Sequence, residues 1–383
     1  MANGPMYRQI FDDLIRGIYD GKYPSGTRLP SEKELADLYS VSRITSKKAL
    51  EMLADRGIIM RKPGKGSFVI DSSRQNLEQQ GMNYDWFADA ESADGNTLQD
   101  ITEPRQLYGV IMDMFDPTFG CELLQGIEYE SRRRRTDLML RFTYGSGEEE
   151  RKAISEMRSR GAQGILLMCS QNETYNEDIL KLCVEKYPLV LFDRDMKGLP
   201  VPAVTTDNYN ASCELTEYLI NKGHKKICFI SHSSMQTSTV KERFYGYRDT
   251  MGKYRLKTDE SLWITDIDQF LPTEEEQQAG ETERVKRLTE YIGNNPDVTA
   301  YYAVSFRLGN LILQLLKKLR MTDKEVVCFD GINIDEWFPP MLTHVEQDQF
   351  QMGIKAVRLL SRRVKGEEIV GRTLIPYRII EAK

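Results

Sequence analysis

Histidine and patterned cysteine are what this sequence has least of. Its 383 residues hold three histidines (His224, His232, His344) and six cysteines with no Cys-x-x-Cys pair among them. That argues against zinc sites and a disulfide framework, and buried thiols in a reducing compartment are the expected role of Cys121, Cys169, Cys183, Cys213, Cys228 and Cys328. No apolar run approaches the roughly 20 residues needed to span a bilayer. The N-terminal stretch is broken by Arg8, Asp12, Asp13 and Arg16, so it lacks an uncharged signal core, and a cytoplasmic chain with no membrane partner is expected. Phosphate loops are missing too: Asp113-Met-Phe-Asp-Pro-Thr-Phe carries neither Gly-x-Gly-x-x-Gly nor a Walker lysine. Gly-x-Ser-x-Gly is absent, and no histidine accompanies a nucleophile motif. The expectation is no cofactor, no metal, no catalytic residue and no enzyme.

What is present is globular composition, 40 % apolar and 29 % charged, in a length suited to two domains or a small domain plus a two-lobed one. The formal charge of −6 is unevenly spread. Residues 1–72 hold 12 basic against 9 acidic side chains, residues 73–104 hold one against seven, and the remainder 39 against 42. A basic head on an acidic body implies that only the head approaches phosphate.

Within the head, Tyr7, Ile10, Phe11, Leu14, Ile15 and Ile18 recur at helical spacing until Gly21 and Pro24-Ser-Gly. Ser31 stands three residues before Glu34, the capping-box spacing, and opens a short helix over about 32–39. Ser42 caps a third helix whose buried stripe is Ala49, Leu50 and Leu53 and whose outer face carries Arg43 and Lys47. Residues 58–61 and 67–70 are β-rich and flank Pro63-Gly-Lys-Gly, a hairpin with a basic tip. This is the order of a winged helix-turn-helix. Such a motif presents the start of its second helix to base edges, so Arg43, with Thr45 beside it, is the expected base reader. Arg28, Lys47, Lys48 and Lys65, with Gly66 at the tip, suit backbone contacts, and Ser31 and Glu32 would offer free N–H groups to a phosphate.

Arg28-Leu-Pro-Ser-Glu-Lys-Glu-Leu-Ala, Val41-Ser-Arg-Ile-Thr-Ser-Lys-Lys-Ala-Leu, Gly57-Ile-Ile and Pro63-Gly-Lys-Gly-Ser-Phe-Val together resemble the DNA-binding head of the GntR family. One departure is Lys47, where that family usually has arginine; a fork is replaced by a point charge.

Residues 73–104 read as an acidic linker, interrupted by Tyr84, Trp86 and Phe87, which are compatible both with docking on a domain and with a loose segment. From residue 105 to 383, apolar strands at 107–112, 138–142, 164–168, 189–192, 227–230, 300–304 and 326–329 alternate with helical stretches. Parallel sheets covered by helices follow, and about 280 residues suit two α/β lobes facing across a cleft. Ligands in such sheets bind beyond the carboxyl ends of strands. There the chain places Asp116, Phe119, Asp193, Arg194, Asp330 and Gln347, with Arg243 at a helix start. Carboxylates and guanidinium forks pair with sugar hydroxyls while an aromatic covers an apolar face. The plainer alternatives are an Asp193-Arg194 ion pair closing a turn, a Glu242–Arg243 surface pair, and Phe119 as core.

The body resembles the effector domain of LacI/GalR repressors, which is similar to periplasmic sugar-binding proteins. The carrying segments are Tyr108-Gly-Val-Ile-Met through Asp116-Pro-Thr-Phe, Arg160-Gly-Ala-Gln-Gly-Ile-Leu, Val190-Leu-Phe-Asp-Arg, Val204-Thr-Thr-Asp-Asn, Leu219-Ile-Asn-Lys-Gly-His-Lys-Lys-Ile, Arg243-Phe-Tyr-Gly-Tyr-Arg and Val327-Cys-Phe-Asp-Gly, with Gln347 before a long helix. The resemblance implies that Asp116, Phe119, Asp193, Arg194, Arg243, Asp330 and Gln347 line a sugar cleft. It also implies three crossings between lobes, near His224, Asp330 and Gly366, giving a first lobe of about 105–224 plus 331–365 and a second of about 225–330 plus 366–383. Ser305-Phe306 departs from the Asn-Asp that the family often shows.

A GntR-type head on a LacI-type body is the layout of the arabinose repressors of Gram-positive bacteria. What it implies is a homodimeric, sugar-responsive regulator on a palindromic double-stranded DNA operator, most readily a repressor of carbohydrate-use genes. The alternatives are an activator, a DNA-binding head tethered to an enzymatic domain such as an aminotransferase-like one, and a transport-linked binding protein.

Overall fold

A computed structural model describes residues 6–19, 22–55, 58–62, 65–70, 105–114, 118–170, 176–232, 237–267, 283–332 and 340–382. The acidic segment 73–104 and Asp116 lie outside the described residues. The chain divides into two compact units, residues 1–103 and 104–383.

In the first unit, helix α1 (Met6–Tyr19) buries Ile10, Phe11, Leu14, Ile15 and Ile18, the face its periodicity predicts. Helix α2 (Glu32–Tyr39) opens on the predicted capping box: the Glu34 N–H donates to Ser31 Oγ at 3.3 Å and the Ser31 N–H to Glu34 Oε2 at 2.6 Å. Helix α3 (Arg43–Asp55) is fixed against α2 by Ser46, fully buried, whose hydroxyl donates to Glu32 O at 2.6 Å. Strands β1 (Ile59–Lys62) and β2 (Gly66–Val69) pair antiparallel, one residue away from the predicted bounds.

The second unit holds two six-stranded sheets. The first runs through β3 (Gln106–Met112), β4 (Thr136–Phe142), β5 (Gly164–Leu167), β6 (Leu189–Phe192), β7 (Ala203–Thr206) and β13 (Arg372–Ile375), in the order β13-β7-β6-β5-β3-β4, all parallel. The second contains β8 (Ile227–His232), β9 (Trp263–Ile267), β10 (Ala300–Ala303), β11 (Glu325–Phe329), β12 (Thr343–Gln347) and β14 (Tyr377–Ile380), in the order β14-β12-β11-β10-β8-β9, with β14 alone antiparallel. Strands β5, β6, β7, β8 and β10 are buried along their whole length, as a sheet covered on both faces requires.

Covering them are α4 (Cys121–Arg133), α5 (Gly147–Ser159), α6 (Glu177–Val184), α7 (Asn208–Asn221), α8 (Ser238–Lys253), α9 (Glu283–Asn294), α10 (Phe306–Lys318) and α11 (Gln349–Val364). The lobe boundaries differ from those expected. Helix α7 buries Ala211, Leu215 and Leu219 in the second lobe's core, and β12 pairs with β11, so both belong to the second lobe. Helix α11 buries Met352, Ala356, Val357 and Leu360 in the first lobe's core, and β13 pairs with β7. The chain therefore crosses at Asp207, Asp348 and Pro376, where apolar faces change sheets, and not near His224, Asp330 and Gly366.

The first two crossings are copies of one device. Asp207 (φ −73°, ψ 75°) and Asp348 (φ −78°, ψ 73°) each cap the following helix, accepting from the N–H of Asn210 and of Gln351 at 3.1 Å. Helices α4 and α11 meet backbone to backbone through Gly126 and Gly353; a Cβ on Gly353 would lie 2.4 Å from Leu123 O. Gly353→Ala is therefore expected to cost about 1–3 kcal/mol, read as a lower thermal midpoint. Gly252→Ala, with nothing within 4 Å of the added carbon, is the control, expected to be neutral or stabilising in its helix, and equal midpoints for the two would contradict the close packing.

Candidate functional site

On the head, α3 presents Arg43, Ile44 and Lys47 outward, with Ile44 79 % exposed. Ile44 was passed over in the sequence; its signal was an apolar, β-branched residue between Arg43 and Thr45, of the kind that contacts a thymine methyl. Thr45 Oγ1 is within 2.9 Å of Ser42 Oγ, so it serves the helix start. Lys47 lies 3.6 Å from Glu51, and Lys48 rests 4.6 Å over the Tyr7 ring. Arg28 and Gly66 are neighbours despite their separation in sequence: Gly66 has φ +110°, and a Cβ there would strike Arg28 Nε at 2.8 Å. Lys65 is exposed at the hairpin. One expectation needs correction, that of a free Ser31 N–H. The Ser31 N–H is taken by Glu34, and the Glu32 carboxylate binds Arg61 of the wing, which also reaches Glu51 at 3.3 Å. The start of α2 thus offers no free Ser31 N–H to a phosphate, because its own cap consumes it.

In the body, Asp193 and Asp330 occupy equivalent places. Each follows the last residue of a strand, Phe192 of β6 and Phe329 of β11, and each has a left-handed backbone with φ +61°. Each N–H donates at 2.9 Å to the neighbouring strand, to Val204 O and to Val345 O. One carboxylate stands in each lobe, both 7 % exposed. Such strain persists where the surroundings over-determine it, which is typical of ligand sites.

Arginines compensate these acids. Arg194 Nη2 lies 2.9 Å from Asp113 Oδ2 and its Nε 3.6 Å from Asp193 Oδ2, while Nη1 donates to Cys169 O at 2.8 Å. Burial pulls the Arg194 guanidinium down, but Asp113 and Asp193 outweigh it and the net shift is upward. Asp113, directly after β3, is the acid that the sequence reading missed in favour of Asp116; its signal was adjacency to the strand end. Arg243 of the second lobe donates from Nε to Asn208 Oδ1 and from Nη1 to Val304 O, both at 2.8 Å, and its guanidinium stacks 3.8 Å from the Phe329 ring centre. Burial lowers its pKa against the opposing pull of Asp330 and Asp193. Gln347 Nε2 donates to Asp330 Oδ1 at 2.9 Å.

Asp193, Arg194, Arg243, Asp330 and Gln347 are thus drawn together at carboxyl ends of strands. Arg243 does not pair with Glu242, and Asp193 with Arg194 forms part of a larger cluster. Phe119 is half-buried and packs against the first lobe's core. Beside the cluster a cavity of about 130 Å³ is lined by Thr118, Gly331, Gln347 and Gln349 among others, with Asp330 in its wall. Also missed was His232, which ends β8 and places Nε2 3.2 Å from Ser305 Oγ. Among the described residues, no group of His, Cys, Asp and Glu could hold a metal, and no helix is long and apolar enough to cross a membrane.

Comparison with known proteins agrees with the fold of both units. The profile of the family described as periplasmic binding proteins and sugar binding domain of LacI family matches residues 106–383, and that of bacterial regulatory proteins, gntR family, matches residues 6–69. The chain is similar to the HTH-type transcriptional repressor PurR of Histophilus somni, 26 % identical over 310 residues, covering 79 % of this chain and 87 % of that protein. The transcription regulator CcpA of Lactococcus lactis superposes with a TM-score of 0.61 at 21 % identity, over 73 % of this chain and 98 % of that one. The transcription regulator GntR of Chromobacterium violaceum gives 0.61 at 18 % identity, over 72 % and 98 %.

Burial raises the Asp193 carboxyl above its ordinary value, against the pull of Arg194 and Arg243. Between the ordinary and the raised value the folded chain holds a proton that the unfolded chain has released, so stability falls as pH rises through that window. Asp193→Asn removes this titration, and asparagine tolerates the left-handed backbone. Its stability relative to wild type is therefore expected to rise with pH through that window, on top of a pH-independent cost from the compensation that Arg194 and Arg243 lose. Thermal unfolding across pH checks this, and a difference independent of pH would contradict it.

Proposed function

The chain belongs to the family of periplasmic binding proteins and LacI-type sugar-binding domains, here with a GntR-family head, and we propose that it is a transcriptional repressor whose operator affinity is set by a neutral sugar. The observation that carries the reading is the pair of strand-end carboxylates, Asp193 and Asp330, one in each lobe, with Arg243 close enough to both to pull on their charge. Acid oxygens accept from sugar hydroxyls two at a time, and guanidinium and carboxamide groups donate back. The cluster of Asp113, Asp193, Asp330, Arg194 and Arg243 has nearly balanced charge, which favours an uncharged polyol over a phosphate. Relatives named as transcriptional repressors and regulators support a regulator rather than an enzyme.

On the head, Arg43 is assigned to base edges and Arg28, Lys47, Lys48 and Lys65 to the DNA backbone. A single winged helix makes too few contacts for a selective site, whereas two related by a two-fold axis read a palindrome and multiply discrimination. A homodimer follows from that requirement. In the body, a sugar touching both lobes stabilises the closed cleft by its differential affinity, and operator affinity changes with the lobes.

A thermal-shift panel of pentoses, deoxyhexoses, hexoses, their phosphates and purine bases tests the ligand class. A compound at 100-fold its dissociation constant adds about 2.7 kcal/mol. Planar bases belong in the panel because Asp330 and Gln347 could equally pair with a heterocyclic edge; stabilisation by a base and by no sugar would replace the sugar reading. Asp330→Asn keeps an acceptor for Gln347 and the left-handed backbone. It should still weaken the stabilising compound about tenfold or more while ligand-free operator affinity stays near wild type, as calorimetric titration beside an operator gel shift would show. Loss of both activities together would make Asp330 a folding residue.

For the head, Arg43→Ala should cost about 1–3 kcal/mol per half-site and relax base preference, whereas Lys65→Ala should weaken all sequences alike and flatten the salt slope. Fluorescence anisotropy over a salt series distinguishes them, and an Arg43→Ala protein with unchanged affinity and specificity would remove α3 from the base edges.

A further inference from the structure

Away from the cluster, the two lobes are joined by a fork-to-fork ion pair. Arg372 stands on β13 of the first sheet, where its Nε donates to Thr205 Oγ1 at 2.6 Å and its Nη2 to Thr206 O at 3.2 Å. Both partners belong to the last two positions of β7, immediately before the Asp207 crossing. So anchored, the guanidinium reaches α8 of the second lobe, with Nη1 2.5 Å from Glu242 Oε1 and Nη2 2.7 Å from Glu242 Oε2. Asp195, also of the first lobe, lies 3.8 Å from Nη1, and its own N–H donates to Ser238 Oγ at 3.1 Å, at the start of the same helix.

Several features set this pair apart from an exposed one. The Glu242 side chain is 15 % exposed and that of Arg372 29 %. Arg372 is held by its own lobe before it meets Glu242, so little side-chain freedom remains to be lost when the pair forms. The Arg372 pKa is raised, Glu242 outweighing the opposing effect of burial. Glu242 also directly precedes Arg243. About 100° apart around α8, one side chain grips the first lobe while the other stacks on Phe329 and feels Asp193 and Asp330.

We propose that Arg372 and Glu242 are positioning residues of the effector site: a bidentate latch between lobes that holds α8 against the first lobe, keeps Arg243 opposite Asp193, and thereby sets the closed fraction before any ligand arrives. A ligand that needs the closed cleft has its apparent affinity scaled by that fraction. The consequence for ligand affinity rests on the reading of the cleft as an effector site; the latch itself does not, and its test uses the protein without ligand.

Spin labels at Val184→Cys on the first lobe and Lys317→Cys on the second, with Cys121, Cys183 and Cys213 replaced by serine, report the interlobe distance in the full-length chain by pulsed electron resonance. Glu242→Gln and Arg372→Gln should each raise the long-distance population about fivefold or more, the low end of two-state coupling. The double variant should be no more open than either single one, since both remove the same interaction. Circular dichroism and the thermal midpoint establish that each variant folds. Unchanged distances in both single variants, or openings that add in the double variant, would overturn the latch. If the latch holds while Asp330→Asn binds every panel compound as wild type does, the effector assignment falls and the latch stands.

Discussion

Compensation of buried charge is the constraint on which the body depends. Asp113, Asp193, Asp330, Arg194 and Arg243 are all nearly shielded from water at the ends of strands. A single unpaired charge there would cost several kcal/mol. The chain therefore alternates sign: Asp113 against Arg194, Arg194 against Asp193, and Arg243 between Asp193 and Asp330. The backbone serves the same end, with the carbonyls of Cys169 and Val304 each accepting from one guanidinium. Because Asp193 and Arg243 belong to different lobes, separating the lobes removes compensation from both. Electrostatics and lobe geometry are one problem.

The lobes solve it with repeated parts. Leu-Phe-Asp ending at Asp193 and Cys-Phe-Asp ending at Asp330 produce the same left-handed turn and the same hydrogen bond to the adjacent strand. Asp207 and Asp348 produce the same strand-to-helix crossing. Asn208 and Gln349, one residue beyond each crossing, carry amides that fix a functional neighbour: Asn208 holds Arg243, and Gln349 binds the Thr118 carbonyl and the Gly120 N–H at the cavity edge. Each of these crossings is therefore followed in the chain by an amide that holds part of the cluster or of the cavity edge.

The head reaches its geometry through small groups. Ser46, buried under α2, sets the angle between α2 and α3, and Arg61 ties the wing to both helices through Glu32 and Glu51. Positive charge on the wing is thus partly spent on structure, leaving Arg43, Lys47 and Lys65 outward. The acid Glu32, which would repel a phosphate, is neutralised by the same contact.

Much of this was legible in the residues alone. The helical spacing from Ile10 to Ile18, the Ser31–Glu34 cap and the apolar strands 189–192 and 326–329 are local signals, since period, capping and β-branching act over a few residues. The resemblance to known families then located Asp193, Arg194, Arg243, Asp330 and Gln347. Strands β7, β12 and β13 escaped because Ala-Val-Thr-Thr, Thr-His-Val-Glu-Gln and Arg-Thr-Leu-Ile are short or polar, and hydrogen bonds to neighbours far along the chain make them strands. The crossings were misplaced for the same reason, since which sheet an amphipathic helix covers depends on where its apolar face finds a partner. Asp113 rather than Asp116 pairs with Arg194, and Glu242 meets Arg372 rather than the neighbouring Arg243, over separations of 81 and 130 residues. The sequence by itself determined most helices, the most apolar strands, the class of fold and the chemical types gathered at strand ends, because those follow from local pattern. Only the tertiary structure decided which acid faces which arginine and where the lobes join, because a charge pairs with whatever folding brings within a few ångströms.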